Sequence, residues 1–571
     1  MRPWHFGNTT VRSAFRLRDG LIALAESSLV GNIKGRDQES AFARLLDDRG
    51  VVAMSEQADV PSLGRKWRAA LTQLGFLVPD VSRVDSVDQA IIGAPFTITE
   101  SGRRLISAEA VPAMQECFLR SLAAYRIPSA LETGYDVAPF CPLRHTLAVM
   151  LELEKRTGDN RLSFIEMAVI VELSSGDDAV ADLCDRVLAL RTARDAAANK
   201  RRFDNEQCEA VGQANGRAGS TFRDYADTNF RYLKATGLVQ SRGRGISIVP
   251  EKHLLVTQLV DEVLPPLSDQ EYLAQLVCGA VLPTDNRDSA SLVLEDLLQN
   301  ARARGIDFDL EGRALDTAAD IAVVRFELED LIAENKEEAF AADQANAVEE
   351  ISAYLRLLAE RGTSATLSDG SSVSVPRSEA PAYFEWAMWR AFLAMNSLAN
   401  KPYEARRFKI DQDFLPISCA PGGGPDLIFE FDDFVVVVEV TLTESSRQEA
   451  AEGEPVRRHV AGVAHDHLAR GTGKAVYGLF LANRIDSNTA ETFRMGVWYL
   501  ADDSRTQLDI VPVRLEAFRE FFDTVFANGL TGHVSLRASL DDAILLRDDV
   551  GGAPAWKARV DHIVRWVGES A

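Results

Sequence analysis

The chain of 571 residues has no long apolar run. That excludes a membrane-crossing helix, which needs about 20 consecutive apolar residues. The opening Met1-Arg2-Pro3-Trp4-His5 lacks the apolar stretch of a secretory signal, so a cytoplasmic protein is expected. Cysteine is scarce: six residues (Cys117, Cys141, Cys184, Cys208, Cys278, Cys419) with no Cys-x-x-Cys pair. They read as reduced, mostly buried thiols and not as zinc ligands. There is no low-complexity tract and no longer internal repeat. Basic charge is in deficit, with 62 Lys and Arg against 85 Asp and Glu, a net −23. Taken alone, that balance argues against nucleic acid as a partner.

The charge that is present is unevenly spread. From Glu251 to Glu350 there are 23 acidic residues against 7 basic ones, so much of the excess sits in one segment. From Arg191 to Pro250 the balance tips the other way, with Arg191, Arg194, Lys200, Arg201, Arg202, Arg217, Arg223, Arg231, Lys234, Arg242 and Arg244. A basic stripe can meet phosphates while an acidic segment elsewhere keeps the protein soluble. An apolar fraction of 46% allows large cores. At ordinary domain size the length predicts three or four domains. The segments expected are 1–110, 111–260, 261–370 and 371–571.

The first two segments share an order of helices followed by an extended hairpin, which is the winged-helix pattern. In 1–110, helices are expected over Gln38–Leu46 and Ser62–Leu74. Ser62 would cap the second and Gly75 stop it, with Phe76–Val78 and Phe96–Thr99 pairing beyond. Arg65, Lys66 and Arg68 ride on the helix that such a module places in a groove; an exposed basic helix without a ligand competes with that. Arg12 and Arg16 form a short basic opening. In 111–260 an amphipathic helix is expected over Leu162–Leu173 and another from Asp178 to Asn199. A third, from Ser220 to Thr236, carries Arg223 and Arg231 and leads to strands at Leu238–Gln240 and Ile246–Val249. Between them, Ser241-Arg242-Gly243-Arg244-Gly245 joins a flexible backbone to charge, as a wing needs to reach phosphate or minor groove. A solvated turn is the bland alternative. Segment 261–370 reads as an acidic helical linker, with Thr363–Pro376 as a boundary loop.

The last segment holds the stretch that matters most, Pro425-Asp426-Leu427-Ile428-Phe429-Glu430-Phe431-Asp432-Asp433-Phe434-Val435-Val436-Val437-Val438-Glu439-Val440-Thr441. It reads as two apolar strands joined by a two-residue acidic turn at Asp432-Asp433. Counting outward from that turn sets Asp426 opposite Glu439, with β-carbons roughly 5 Å apart. Two carboxylates that close raise each other's pKa unless a cation sits between them. Hard oxygen donors at that separation suit Mg²⁺. Thr441 shares the face of Glu439, where metal-dependent nucleases of the PD-(D/E)xK type carry lysine. Solvated strand ends are the bland alternative. Upstream, helical spacing puts Glu385 on a face with Met388, Trp389 and Phe392, an expensive place for a carboxylate unless it is paired or metal-bound. An Ala382–Leu393 helix, the two strands, a helix starting near Pro455 and strands at Ala475–Ala482 and Asp509–Val513 follow the restriction-endonuclease-like order. The fold class expected is therefore multi-domain α+β: tandem winged-helix DNA-binding modules, a helical linker and a C-terminal PD-(D/E)xK α/β domain.

Pro425-Asp426, Glu439-Val440-Thr441, Gln448, Glu452, Glu454-Pro455-Val456 and Arg458-His459 together resemble the catalytic signature of the AlwI family of type IIS restriction endonucleases and its nicking relatives. Thr9-Thr10-Val11-Arg12 with Arg16-Leu17 resembles that family's opening. The resemblance implies Mg²⁺-dependent, sequence-specific cleavage of double-stranded DNA a few bases from an asymmetric site. It implies a catalytic set of Glu385, Asp426, Glu439 and Glu452, and a metal held by Asp426, Glu439 and the carbonyl of Val440. Gln448 would orient the water, while Arg458 or His459 would meet developing charge. One centre per chain implies a transient homodimer or partner subunit for double-strand cutting, and a cognate DNA methyltransferase in the same system. A strand-specific nicking enzyme, the large subunit of a two-chain enzyme and a non-catalytic DNA-binding regulator are the alternatives.

Overall fold

In the computed structural model, described for residues 2–54, 59–444, 447–500, 503–549 and 551–566, the chain divides into two units. The first is Met1–Ile332 with Asp411–Asp413, and the second is Ala333–Ile410 with Phe414–Ala571. Of the four expected segments, 261–370 is thus split between the units, and the boundary falls inside the helix Ala318–Ala342. Among the described residues no helix is long and apolar enough to cross a membrane.

The first unit is mainly helical. Helix α1 (Arg36–Asp48) lies against α2 (Val60–Gln73). They meet at Gly64, where a β-carbon would fall 2.0 Å from the Glu39 carbonyl oxygen, so only glycine fits. The cap of α2 is Asp59 and not Ser62: the Asp59 side chain accepts from the Ser62 N–H, and Pro61 then stands in the first turn, where a missing N–H does no harm. Beyond α2, Leu77 and Ile98 bridge antiparallel, and Phe96 N–H donates to the Val78 carbonyl at 2.8 Å. The expected pairing is present, reduced to a bridge.

The expected helix over Leu162–Leu173 is broken into three. Leu162–Ser163 is strand β1, Phe164–Val169 is helix α3 and Val171–Leu173 is a 3₁₀ turn. Ser163 opens α3, its N–H donating to Glu166 Oε2 at 2.8 Å. Helix α4 (Val180–Ala196), helix α5 (Lys200–Ala214), helix α6 (Gly219–Ala235) and strands β2 (Val239–Ser241) and β3 (Gly245–Ile248) follow. The three strands form one antiparallel sheet in the order β1-β3-β2. Gly237, at φ +71°, ends α6 in the left-handed region as expected.

The second unit is built on a four-stranded mixed sheet. Its strands are β4 (Leu427–Glu430), β5 (Phe434–Thr441), β6 (Ala475–Ala482) and β7 (Asp509–Arg514), in the order β7-β6-β5-β4. β4 and β5 are antiparallel; β5, β6 and β7 run parallel. Helix α7 (Ala380–Met395) packs on the hairpin, with Phe392 stacked on Phe429 at 4.0 Å between centroids. Helix α8 (Glu454–Ala469) crosses from β5 to β6 and packs closely at Gly478, where a β-carbon would lie 2.8 Å from Val460. The supposed boundary loop Thr363–Pro376 is a small hairpin, Ser364–Thr366 with Ser372–Ser374, anchored by buried Val373 and Val375.

Candidate active site

The hairpin has the register that its turn predicts. Phe431 N–H donates to the Phe434 carbonyl at 2.8 Å, and Leu427 pairs with Val438. One step further, Asp426 comes opposite Glu439, and its Oδ2 accepts from the Val440 N–H at 2.9 Å. Because β5 has a strand on each side, Val435 to Val438 are all fully buried and hold this end of the strand rigidly. Burial first, then the charge of Glu439, pushes Asp426 up to about 8, while the Val440 N–H pulls the other way.

Three more groups join this pair. Glu385, on α7, is buried, and its Oε2 accepts from the Ala420 N–H at 2.7 Å. Burial, then the Asp426 charge, holds its carboxyl well above the usual range. Glu452 lies in a single π-helical turn, Glu449–Gly453, inserted just before α8. Such insertions often re-aim a side chain at a functional site. Burial raises the Glu452 pKa, the Thr441 hydroxyl lowers it, and Glu439 raises it further. His459, on α8, meets Glu439 through Nδ1 and Oε1 at 2.6 Å, each side chain only 10% exposed. Its Nε2 is buried with no hydrogen-bond partner among the described residues. Glu385, Asp426, Glu439, Glu452 and His459 are therefore one linked group. Among the described residues, no three His, Cys, Asp or Glu side chains close into a metal cage.

Gln448 is not positioned to orient a water. It is fully buried; its Nε2 donates to the carbonyls of Thr443 (2.7 Å) and Arg484 (2.9 Å), and its Oε1 accepts from the Asp486 N–H (2.7 Å). It braces the segment after β5 against the one after β6. Arg458 is engaged with Glu454 at 3.0 Å and stays largely exposed. Thr441 is buried and brings no cation. Arg407 does: its Nη1 donates to the Pro425 carbonyl at 3.2 Å, and its charge lowers the Asp426 pKa. Its approach requires Gly424, where a β-carbon would lie 2.3 Å from Nη1. The Gly422-Gly423-Gly424 run was the only hint of this in the sequence.

The candidate DNA contacts divide sharply. Arg68 pairs with Glu39 at 2.7 Å, with side chains 15% and 12% exposed, and lies over the Phe96 ring. Arg16 is held by Asp19 (3.2 Å) and the Gly50 carbonyl (2.7 Å), and Arg12 by Asp224 (2.9 Å). Arg223 donates to Asn205 (2.6 Å), Arg231 pairs with Asp227 (3.0 Å) and Arg242 with Asp159 (2.6 Å). These six are committed within the chain. Arg65, Lys66 and Arg244 have no acidic partner among the described residues, and Arg65 and Arg244 are exposed.

Two solved structures give weak likenesses. The small subunit of the heterodimeric restriction endonuclease R.BspD6I is 23% identical, over 37% of this chain and 97% of its own, at a TM-score of 0.28. The BpuJ1 endonuclease binding domain, solved with pyrene- and phenanthrene-modified DNA, is 11% identical over 42% of this chain and 78% of its own, at 0.30. At such scores neither carries weight. No curated protein matches the chain. The family model for AlwI restriction endonuclease does match, over residues 72–521, which takes in the whole linked group from Glu385 to His459. The chain belongs to the AlwI restriction endonuclease family.

Proposed function

We propose that this site-specific deoxyribonuclease, a type IIS restriction endonuclease, cuts one strand per catalytic centre at the β4–β5 hairpin with Mg²⁺ as cofactor. The observation that carries this is the opposition of Asp426 and Glu439, with Asp426 pushed up to about 8. A pocket that crowds carboxylates so closely favours a cation. The donors fit a small hard ion: two carboxylates and the Val440 carbonyl leave room for the waters that Mg²⁺ retains. An ion bound there would polarise the scissile phosphate and lower the pKa of an attacking water.

The chain's own residues do the rest. Glu439 meets His459 through Nδ1, while Nε2, the other ring nitrogen, makes no hydrogen bond among the described residues. That nitrogen is placed to take a proton in transit. Glu385 and Glu452 extend the anionic rim, and Arg407 supplies the positive charge that the motif's lysine gives elsewhere. The sheet order β7-β6-β5-β4 with α7 and α8 supports a PD-(D/E)xK domain. In the first unit, α6 followed by the β2–β3 hairpin supports a winged-helix module with Arg244 at the wing; α2, carrying Arg65 and Lys66, supports a second. Cutting both strands then needs a second catalytic domain, from a transient homodimer or a partner subunit, and a cognate methyltransferase protects the host site.

Supercoiled plasmid tests this. With Mg²⁺ the wild type should open and linearise it, and sequencing the ends should show a fixed offset from one asymmetric site. Circles that stay open at high enzyme indicate a nicking enzyme. Asp426→Asn should abolish cutting while DNA binding survives; unchanged cutting would remove this site from the chemistry.

A further inference from the structure

The wing carries a second feature that none of its arginines explains. Asp411–Asp413 belongs to the first unit. There, the Asp413 carboxylate is met by three donors. Its Oδ1 accepts from the Ser241 N–H at 2.7 Å, and its Oδ2 from the Ser241 hydroxyl at 2.6 Å and from Lys234 Nζ at 3.0 Å. Lys234 also reaches the Ser241 hydroxyl at 3.1 Å. The carboxylate and the amine are largely covered, at 10% and 19% exposure. Gln412 seats the segment: its Nε2 donates to the carbonyls of Lys234 (3.0 Å) and Val239 (2.6 Å), and its Oε1 accepts from Gln115 (2.8 Å). A backbone N–H, a hydroxyl and a lysine amine converging on one anionic oxygen pair is the donor set that proteins offer a DNA phosphate. It sits where α6 meets the hairpin whose tip carries the exposed Arg244.

We propose that Lys234 and Ser241 form a site for a DNA backbone phosphate, filled in the free protein by the Asp413 carboxylate, which DNA displaces. This rests on the wing being a DNA contact. The docked segment is held by hydrogen bonds, which water replaces at modest net cost, so exchange is feasible. While Asp413 is docked, the binding-competent fraction is reduced and apparent affinity falls with it.

The test uses the full chain and a fluorescent non-cognate duplex without metal, with affinity followed against salt. Asp413→Asn removes the competing charge and keeps the shape. Binding should tighten about three- to tenfold with the log–log salt slope near that of the wild type, because both complexes make the same phosphate contact, whereas Lys234→Gln should lower the slope by about 0.9. Lys234→Gln should weaken binding several-fold, and adding it to Asp413→Asn should erase the gain. An Asp413→Asn protein with unchanged affinity would overturn the proposal. So would a double variant that keeps the gain. If Asp413→Asn fails to fold, Lys234→Gln decides alone: undiminished binding overturns the site. Arg244→Gln separates the two levels. If it leaves binding unchanged, the wing itself is not a DNA contact; if it weakens binding while Asp413 and Lys234 variants do nothing, only the phosphate site fails.

Discussion

Replacing Asp426 by Asn should stabilise the metal-free protein while removing its cutting activity. Asn keeps the shape and an oxygen for the Val440 N–H, now 2.9 Å from Oδ2. In the unfolded chain Asp426 titrates near the ordinary 3.8, and in the fold at about 8. An acid raised in this way keeps its proton longer in the folded state, so between those values the fold binds more protons and stability falls as pH rises. Below about pH 4 both states are protonated and the penalty is absent; above about pH 8 it is complete. A separation of about four on the pH scale, at about 1.4 kcal/mol each, sets a ceiling near 6 kcal/mol. Relaxation and water around a buried charge relieve part of the penalty, so about half of that, roughly 3 kcal/mol, is the expected gain at pH 8. In a unit of this size it corresponds to about 6–12 °C in melting temperature. Thermal unfolding in EDTA at pH 5, 6.5 and 8 measures it. The gap between variant and wild type should widen with pH, and Mg²⁺ should close it by stabilising the wild type alone. A gap that is missing at pH 8, or that narrows as pH rises, would refute this electrostatic account of the pocket.

Four other outcomes follow. Gln448→Ala should lower stability by about 2–3 kcal/mol by stranding buried backbone groups, while activity per folded molecule at low temperature stays near wild type; a large loss of turnover in a fully folded variant would return Gln448 to the chemistry. His459→Ala leaves Glu439 without its partner, and cleavage should fall about 10- to 100-fold with DNA affinity unchanged, as single-turnover cutting and binding titrations would show. Arg68→Gln should cost stability, because Glu39 is left covered and unpaired, yet leave the salt slope of DNA binding intact; Arg65→Gln should do the reverse, lowering the slope by about 0.9.

Much of the β4–β5 hairpin is legible in the sequence. Two apolar runs around Asp432-Asp433 admit one register, and that register sets Asp426 against Glu439 by counting. Glu385 was legible because a carboxylate on an apolar helix face stands out. The break at Leu162–Ser163 was not legible, because a helical period is blind to Gly245 and Ile246, the distant residues that pair with it. Nor was the cap of α2, where Ser62 and Asp59 are both good caps and only the backbone path decides between them.

The basic residues show the limit most clearly. Composition located a positive stripe, but six of nine candidates are held by Asp, Glu, Asn or backbone partners, most of them remote in sequence. By itself, the sequence settled whatever depends on neighbours a few positions apart: strand period, turn length and the facing of carboxylates across a tight hairpin. The tertiary structure alone decided which of these charges find partners among the described residues, that Arg407 bonds the Pro425 carbonyl beside Asp426 and that Gln448 is a brace. Those outcomes depend on burial and on groups brought together from far along the chain, and no local rule of spacing contains them.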